Sequence, residues 1–515
     1  MPQDDLTEVA RAQKSAAPTS RKVPRIVVLG GGSVGLYSAR RIRKRLGGRE
    51  AAIVVVDPRP YMTYQPFLPE VAAGSIDGRH GVAPLRRAVK GVDLLQGLVT
   101  HIDHAGRRVT IQPESGDAYT IRYDHLVVGL GAVSRTLPIP GLAETAIGFK
   151  TVEEAVAVRN QVLNRIDVAS STWDPDTRRR MLTFVFVGGG FAGVEAIGEV
   201  ESMARAAVKY YPEIDASDLR FVLVEGSPRI LPEVSAELGG YTLDQLRKRD
   251  MEIYLSTFLS SCVDGHIVLS NGQEFEADTV VWTAGVKANP VLKDSDLPLD
   301  QLGRVTTNAF LQVVDADGTV VPDAWAAGDC AAVPDLVAGG TCPPNAQHAI
   351  RQANRLGENL AKALRSVEPT EYRHKNVGAV ASLGMYQGVA QMFGRIKVRG
   401  WFAWVLHRTY HVMAMPTWNR KIRIMAGWTG ALFLRREVIS LGSIHDPRAA
   451  FRAASQPPAA KAAPTAAEAA VTTPDDTALA TDAKADATRT DAKADAKRTD
   501  AKADAKPDDT ADDKA

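Results

Sequence analysis

Two glycine clusters, each followed by an acid, are the residues of this sequence best placed to do chemistry. In the first, Gly30, Gly32 and Gly35 have the spacing G-x-G-x-x-G after an apolar run, and Asp57 closes the next apolar run. In this pattern one glycine makes the turn, one lets the backbone approach a pyrophosphate, and one allows close helix–strand packing. The N–H groups at the start of the following helix favour the phosphate, and Asp57 can accept hydrogen bonds from a ribose diol.

The same pattern returns later in the chain. Gly188, Gly190 and Gly193 follow a second apolar run, and Glu225 ends the strand after that. Two complete copies are a strong signal, because chance would have to produce the pattern twice. A carboxylate at Glu225 accepts from a free 2′-hydroxyl and repels a 2′-phosphate, so the sequence favours NADH over NADPH.

Strands and helices alternate around both clusters, which predicts an α/β fold with two doubly wound, Rossmann-like dinucleotide-binding domains. Further buried strands that end in small residues are predicted within Tyr123–Gly131, Asp278–Gly285 and Trp325–Asp329. Two dinucleotide sites imply a flavin in one and a nicotinamide in the other. The expected divisions are a disordered N-terminus (1–22), a flavin-binding domain in two parts (23–148 and 276–389), a nicotinamide-binding domain (149–275), a membrane-interface or dimerisation region (390–445) and a disordered Ala/Asp/Lys-rich tail (446–515).

Composition narrows the class of protein. The formal net charge is +2 over 515 residues, which argues against a polyanionic partner. Cys262, Cys330 and Cys342 include no C-x-x-C pair, so we expect neither a zinc cluster nor a redox dithiol, and no metal. Residues 1–22 lack the apolar core of a secretory signal, and no apolar run approaches the ~20 residues of a transmembrane helix.

Two local stretches of the sequence each allow two interpretations. Glu195 and Glu199 lie four residues apart and share a face of the helix after the second glycine cluster. Such pairs usually face solvent, and Glu195, which is nearer the turn, is the better candidate for site chemistry. The aromatic, proline-rich stretch Tyr61–Gly74 is predicted as a loop, which either folds over a bound nucleotide or packs as an ordinary connection.

Basic and aromatic residues are concentrated in residues 394–436, which contain nine Lys or Arg and no acid. This composition favours a helical region lying on an anionic lipid surface. The segment is too apolar for a nucleic-acid site, and a buried homodimer contact is the alternative. The cations are Arg395, Lys397, Arg399, Arg408, Arg420, Lys421, Arg423, Arg435 and Arg436, and the tryptophans are Trp401, Trp404, Trp418 and Trp428.

The order of the motifs GGGSVG, VVVD, GGGFAGVE, VLVE, WTAG and AAGD resembles that of the two-dinucleotide-binding-domain flavoproteins. Within them the chain is most similar to the type II NADH dehydrogenases, which are single-chain, non-pumping NADH:quinone oxidoreductases. The resemblance covers about residues 24–440 and includes YQPFLPEVAAG, FKTVEEAVAVRN and PPNAQHAIRQ.

This resemblance assigns roles to the two sets of site residues, with Asp329 on the ribityl chain of FAD and Glu195 as a proton carrier. The implied FAD residues are Gly30, Gly32, Gly35, Asp57, Gln65, Gly131, Gly285 and Asp329, and the implied NADH residues are Gly188, Gly190, Gly193 and Glu225. The quinone motif of the family is A-Q-x-A-x-Q. Here Ala346, Gln347 and Ala349 match it, Arg351 stands in the place of the second glutamine, and Gln352 comes one position later. The implied quinone contacts are therefore Ala346, Gln347 and Arg351, with Glu195 and Gln347 as the catalytic pair.

The expected protein is a monotopic, non-pumping flavoenzyme on the cytoplasmic face of the cell membrane. It would pass a hydride from NADH to FAD and two electrons onward to a membrane quinone. One alternative is the same fold with a non-quinone acceptor, and another is an NADH-binding redox sensor with slow turnover. The missing C-x-x-C pair disfavours the disulfide reductases of this superfamily.

Overall fold

The computed structural model describes residues 23–48, 50–375, 377–433 and 437–439. The predictions for residues 1–22, for the tail 446–515 and for Arg435 and Arg436 concern residues outside this range. The α-helices are α1 Ser33–Leu46, α2 Leu68–Ala72, α3 Leu85–Ala88, α4 Leu142–Thr145, α5 Val152–Ser170, α6 Pro175–Met181, α7 Phe191–Ala207, α8 Ala236–Arg247, α9 Ala346–Ala363, α10 Gly400–Ala414 and α11 Trp418–Phe433. Short 3-10 helices cover Gln65–Phe67, Gly78–His80, Val208–Tyr210, Ala216–Asp218, Val263–Gly265, Pro290–Asp294 and Gly328–Cys330.

The first sheet carries the first glycine cluster and draws strands from two distant parts of the chain. In spatial order its strands are Gln312–Val314, Val320–Ala326, His125–Val128, Arg25–Leu29, Ala52–Asp57 and Asp93–Gln96. All neighbours are parallel except the outermost pair, Gln312–Val314 and Val320–Ala326. Ile26 to Leu29 are fully buried, as expected for a parallel strand with both faces covered.

The second sheet carries the second glycine cluster and is parallel throughout. In spatial order its strands are Ala146–Gly148, Thr279–Trp282, Thr183–Val187, Arg220–Val224 and Glu252–Tyr254. Each glycine cluster therefore leaves the carboxyl end of a strand in a doubly wound sheet, where such folds bind their ligands. The domain limits given above stay predictions.

A third, antiparallel sheet lies close to the C-terminal helices and consists of Gly378–Ser382, Gly388–Met392 and Ile396–Arg399. Helix α10 packs against it. The other strands form small sheets: Tyr61–Thr63 with Val82–Pro84; Leu98–Asp103 with Arg108–Gln112 and Tyr119–Arg122; Ala132–Ser134 with Val286–Ala288; Leu259–Ser261 with His266–Leu269 and Glu274–Glu276; and Val305–Thr306 with Ala331–Ala332.

Helix α9 packs along α1 at close range. A Cβ atom at Gly357 would press on the Arg41 side chain and on the Ser38 carbonyl oxygen, so only glycine permits this approach. Glu358 accepts hydrogen bonds from Arg41 and, at 2.7 Å, from Nη2 of Arg45. The packing fixes the residues at the start of α9 beside the glycine turn that opens α1.

The prediction of a loop over Tyr61–Gly74 is wrong. The stretch forms the strand Tyr61–Thr63, the 3-10 helix Gln65–Phe67 and helix α2. Pro66 and Pro69 stand in the first turns of these two helices, where proline is favoured because its missing N–H is not needed. Here the prolines therefore signal helix starts. Within the described residues, no helix is long and apolar enough to cross a membrane.

Candidate active site

The first glycine turn is built to bring backbone N–H groups against a ligand. Gly30 has a φ of 92°, and its N–H donates to the Val56 carbonyl oxygen at 2.8 Å. A Cβ at Gly35 would clash with the Gly30 carbonyl oxygen. Gly32 caps α1 without a side-chain bond, and a Cβ there would meet nothing within 4 Å. The start of α1 thus opens onto free space, which fits a dinucleotide pyrophosphate.

Asp57 is held by the turn that it follows. Its Oδ2 accepts from the Gly31 N–H at 2.6 Å, and its Oδ1 accepts from the Arg59 N–H at 2.8 Å. Burial raises the pKa of Asp57, against the lowering effect of these two backbone bonds. The carboxylate is therefore fixed in orientation before any ribose reaches it.

One cavity, here called the first cavity, runs from this turn toward α5 and α9. Of the residues predicted to bind FAD it is lined by Gly30, Gly32, Asp57, Gln65, Gly131 and Asp329. Lys150 also lines it, with its Nζ 3.5 Å from Oδ2 of Asp329. The Lys150 carbonyl oxygen accepts from Nε2 of Gln65 at 3.3 Å. Sequence reasoning missed Lys150, although it lies in the motif FKTVEEAVAVRN.

The second glycine turn repeats the first in detail. Gly188 has a φ of 114° and donates to the Val224 carbonyl oxygen at 2.8 Å. A Cβ at Gly193 would clash with the Gly188 carbonyl oxygen. Glu225 accepts from the Gly189 N–H and, at 2.6 Å, from the Ser227 N–H. Gly190 caps α7 without a side-chain bond, and open space again lies where its Cβ would be.

A second cavity of about 470 Å³ lies where the two glycine-turn units meet α9 and α10. It shares Gln65, Lys150 and Ala346 with the first cavity, so the two are adjoining. Most of its wall is apolar. The polar and aromatic side chains around it include Gln65, Lys150, Glu195, Trp282, Asn345, Gln347, Arg351, Tyr410 and His411, and Gly285 lines it too.

Gln347 and Arg351 both lie in the first turns of α9. Gln347 donates through Nε2 to the Gly378 carbonyl oxygen of the third sheet at 2.6 Å. Arg351 donates through Nη1 to the Gln347 carbonyl oxygen at 3.1 Å. The cavity therefore has a cation and an amide side by side on one helix face.

Glu195 belongs to a buried network of acidic and basic side chains. The Oε1 atom of Glu195 is 2.9 Å from Nε2 of His407 and accepts from the Ser382 N–H at 3.0 Å. The Ser382 hydroxyl donates to Glu199 at 2.7 Å, and a guanidinium nitrogen of Arg408 lies 3.9 Å from the same carboxylate. All of these side chains are buried.

Glu70, which comes from α2, is a further acid of this network. Its Oε1 is 3.7 Å from Nδ1 of His407, and its side chain is fully buried. Burial raises the pKa of Glu70 to about 7, with a partial opposing effect from His407. Burial lowers the pKa of His407, but the close contact with Glu195 and the charges of Glu195 and Glu70 outweigh it, so the pKa is raised. His407 is thus poised to hold a proton between two carboxyl groups.

The pyridine nucleotide-disulphide oxidoreductase family model matches residues 24–353, which span both glycine turns. The chain belongs to this family. Its relatives include the type II NADH:quinone oxidoreductase Ndh of Mycobacterium tuberculosis, which is 28% identical over 432 residues, or 81% of this chain and 89% of the relative. The type II NADH:quinone oxidoreductase of Staphylococcus haemolyticus is 28% identical over 72% of this chain and 90% of its own length.

The fold of this pyridine nucleotide-disulphide oxidoreductase is also that of a solved structure, NDH2 from Plasmodium falciparum in complex with NADH. The two superpose with a TM-score of 0.75 at 16% identity, over 81% of this chain and all of the solved one. At this identity the similarity shows the fold alone.

Two expectations about charged side chains in this oxidoreductase are wrong. Glu195 and Glu199 do not form a solvated face, because α7 is packed beneath the third sheet and against α2, and both side chains are buried. Arg408 and Trp404 do not face a membrane either. They lie in the core face of α10, with the Arg408 guanidinium 4.3 Å from the Trp404 ring centroid. Lys397 and Arg399 are paired with Glu237, so the basic segment is not free of acidic partners.

Gln352 does not replace the missing second glutamine of the family motif. It is buried, and its Oε1 accepts from the Gly328 N–H at 2.8 Å beside the turn that holds Asp329. Arg351, one position earlier, is the residue that lines the second cavity. A shift of one residue turns a helical side chain by about 100°, which explains why the two face different ways.

One group of potential metal ligands occurs in the described residues. Ligand atoms of Asp335, Cys342 and His348 lie within 4.8 Å of one another. Burial raises the pKa of Cys342 to about 11, which keeps the thiol protonated. The expectation of no metal stays a prediction.

Proposed function

We propose that this chain is an FAD-dependent NADH:quinone oxidoreductase that works at a membrane surface without pumping protons. The observation that carries the proposal is the second cavity, where Glu195 from the second glycine-turn unit and Gln347 from α9 line one apolar space next to the first cavity. Two relatives with this activity in their names match over 72% or more of the chain and support it.

FAD fits the first cavity. The N–H groups at the start of α1 would hold its pyrophosphate, Asp57 a ribose, and Asp329 with Lys150 the chain that leads to the flavin ring. When bound, the flavin would accept a hydride from NADH and return two electrons to an acceptor, which is chemistry that no side chain here supplies. The protein would position the reactants and exclude water.

NADH would lie on the second glycine turn with its ribose on Glu225. Replacing Glu225 with arginine is expected to move the ratio of kcat/KM for NADH and NADPH by about 10- to 100-fold toward NADPH. The change removes a repulsion and adds a cation that can pair with the 2′-phosphate. Steady-state kinetics with both nucleotides measure the ratio.

The matched control for this change is Glu225→Gln, which removes the charge and adds no phosphate partner. This variant should bind NADH more weakly, with only a small gain in kcat/KM for NADPH. An unchanged nucleotide preference in Glu225→Arg contradicts the assignment of this strand end to the adenosine ribose.

A quinone head group would enter the second cavity between the wall residues that come from α9 and those that come from α10. Gln347 and Arg351 would donate hydrogen bonds to its carbonyl oxygens, and the apolar wall would take its ring and tail. Glu195 would hold the proton that a reduced quinone oxygen needs, and the Glu195–His407 contact at 2.9 Å gives a path for replacing it.

Changing Gln347 to alanine is expected to raise KM for quinone or lower kcat by about tenfold, the effect of losing one good polar contact. Rapid reduction of the protein by NADH in a stopped-flow experiment should be nearly unchanged. Failure of that first half-reaction instead would move Gln347 into the FAD or NADH site.

Arg351 is the specific observation that favours the second candidate, an acceptor other than quinone. A cation suits an anionic oxidant or an acidic carrier protein better than a neutral quinone. Arg351→Gln restores the family motif, so a large gain in turnover with a soluble quinone would support the other acceptor. A loss or no change supports quinone.

Placement on a membrane is supported by the exposed apolar side chains of α10 and α11. They include Trp401, Phe402, Met413, Trp418, Ile422 and Met425, each more than half exposed. Such side chains suit the boundary between head groups and acyl chains. NADH is available on the cytoplasmic face, which is the face we propose. A homodimer contact through the same surface is the competing proposal.

A further inference from the structure

A tight loop brings the side chains of Asp335 and Cys342 close together. The Cys342 N–H donates to the Val333 carbonyl oxygen at 2.8 Å, and the Asp335 N–H donates to the Gly340 carbonyl oxygen at 2.9 Å. Gly339 and Gly340 have φ angles of 84° and 70°, a conformation that glycine adopts without strain and that lets the chain reverse here. The backbone therefore holds a carboxyl group and a thiol side by side.

His348 joins this pair from the first turn of α9. Its N–H donates to Oδ1 of Asn345, the residue that caps the helix, at 2.9 Å. One ligand atom from each of Asp335, Cys342 and His348 lies within 4.8 Å of the others. Atoms that bind one zinc ion at about 2.0–2.3 Å are at most about 4.6 Å apart. Small side-chain rotations would therefore bring the three onto one ion.

Hydrogen bonds already determine which ligand atoms are left for an ion. Oδ1 of Asp335 accepts from the Val337 N–H at 2.9 Å and from the Ala338 N–H at 3.0 Å, which leaves Oδ2. Nδ1 of His348 is 2.9 Å from the Tyr372 hydroxyl oxygen, which leaves Nε2. Metal-binding histidines have such a partner on the second ring nitrogen because it sets the tautomer and the ring orientation. The supporting contacts of a metal centre are therefore in place.

A second histidine, His374, lies next to this group. The ring centroids of His348 and His374 are 5.5 Å apart, and the two rings are inclined at 82°. With Zn–N bonds of about 2.0–2.1 Å, two imidazoles at this separation can share one ion. Nε2 of His374 is buried and has no hydrogen-bond partner within the described residues. A buried nitrogen without a partner costs free energy, and a bond to a metal ion would remove that cost.

The set of donor atoms identifies the ion. One thiolate, two imidazoles and one carboxylate give the four-coordinate shell that zinc takes in proteins, whereas calcium and magnesium take oxygen ligands. The Cys342 thiol is protonated without an ion, and on binding zinc it would release its proton to the solvent. The Cys342 thiolate and the Asp335 carboxylate would then balance the double positive charge of the ion.

We propose that Asp335, Cys342 and His348 bind one zinc ion, with His374 in the fourth position. We call these four residues the zinc site. The expectation of no metal rested on the absence of a C-x-x-C pair, a criterion that does not apply to a site with a single cysteine. Among the described residues that line the first and second cavities, none belongs to the zinc site, so the inference does not depend on the proposed function.

The test adds metal to the full-length holoprotein after a chelator has removed any bound ion. We expect the wild type to bind one zinc ion per chain in isothermal titration calorimetry. Cobalt in place of zinc should give the intense d–d bands of a tetrahedral site, at longer wavelength than the flavin absorbance. Cys342→Ala should weaken zinc binding about 100-fold or more and remove these bands, since even the supporting contacts of a ligand are worth about 10- to 100-fold.

The matched control is Cys262→Ala, which removes another buried thiol that lies outside the group. Its zinc affinity and cobalt spectrum should equal those of the wild type. Three results would overturn the proposal: a wild type that binds no zinc, equal losses of zinc affinity in the two cysteine variants, or the weak cobalt spectrum that six oxygen ligands produce.

His348→Gln and His374→Gln test the two histidines separately. Each should weaken zinc binding about tenfold or more. The flavin absorbance should be unchanged in all of these variants, which distinguishes a lost ligand from general unfolding. Unchanged zinc affinity in His348→Gln overturns the zinc site, and unchanged affinity in His374→Gln overturns its fourth position. NADH oxidation with a soluble quinone measures the proposed function separately, so the two proposals can fail independently.

Discussion

Replacing Gly193 with alanine is expected to lower kcat/KM for NADH oxidation by about 100-fold or more, while the purified protein stays yellow. The new Cβ would clash with the Gly188 carbonyl oxygen and with the Thr283 hydroxyl, so the second turn has to open. Overpacking of this kind costs about 1–3 kcal/mol. A displaced turn would also bind the NADH pyrophosphate more weakly, so we expect a drop in kcat/KM of about 100-fold or more. Flavin absorbance and steady-state kinetics measure the two effects.

Gly35→Ala is the reciprocal change, because its Cβ would clash with the Gly30 carbonyl oxygen of the first turn. This variant should lose its flavin absorbance on purification. Gly240→Ala on α8 is the control, since a Cβ there would meet nothing within 4 Å, and it should behave as the wild type. Loss of flavin in Gly193→Ala, or its full retention in Gly35→Ala, would show that the two turns are assigned the wrong way round.

Glu70→Gln is expected to change how stability depends on pH. The pKa of Glu70 is raised by burial from an ordinary value of 4.5 to about 7, so the folded state keeps a proton that the unfolded state has lost. The wild type therefore loses stability as pH rises between these values, and the loss is complete above pH 7. A shift of this size corresponds to about 2–3 kcal/mol between pH 5 and pH 8.

Chemical denaturation at pH 5 and pH 8 tests this expectation. The stability of Glu70→Gln relative to the wild type should improve by about 2–3 kcal/mol between the two pH values. The exposed Glu213 supplies a matched control, Glu213→Gln, whose curve should run parallel to that of the wild type. Parallel curves for Glu70→Gln as well would mean that the Glu70 carboxyl group ionises as readily in the folded protein as in the unfolded chain.

The parts of the fold predicted from the sequence were those with a local signal. The G-x-G-x-x-G spacing fixes a turn through steric demands on three nearby residues, and the resulting structure has both turns after buried strands. Asp57 and Glu225 end strands next to these turns, so their positions follow from the turns themselves.

The buried network behind Glu195 could not be predicted, because no local pattern joins its members. Glu70, Glu195 and His407 come from three distant segments, and tertiary packing alone makes them neighbours. The composition of residues 394–436 suggests that all of their basic side chains share one surface. In the structure, packing buries Arg408 and places Arg420 in the wall of a pocket.

The close packing of α9 on α1 has an evolutionary consequence. Gly357 and Glu358 hold α9 against the helix that opens at the first glycine turn, so the backbone beneath Gln347 and Arg351 does not depend on which acceptor is used. Half-buried positions on the first turns of α9 can then change one codon at a time while the cofactor site keeps its geometry. A lineage could move from one electron acceptor to another through single substitutions such as the exchange at Arg351, with no intermediate that has lost its cofactor.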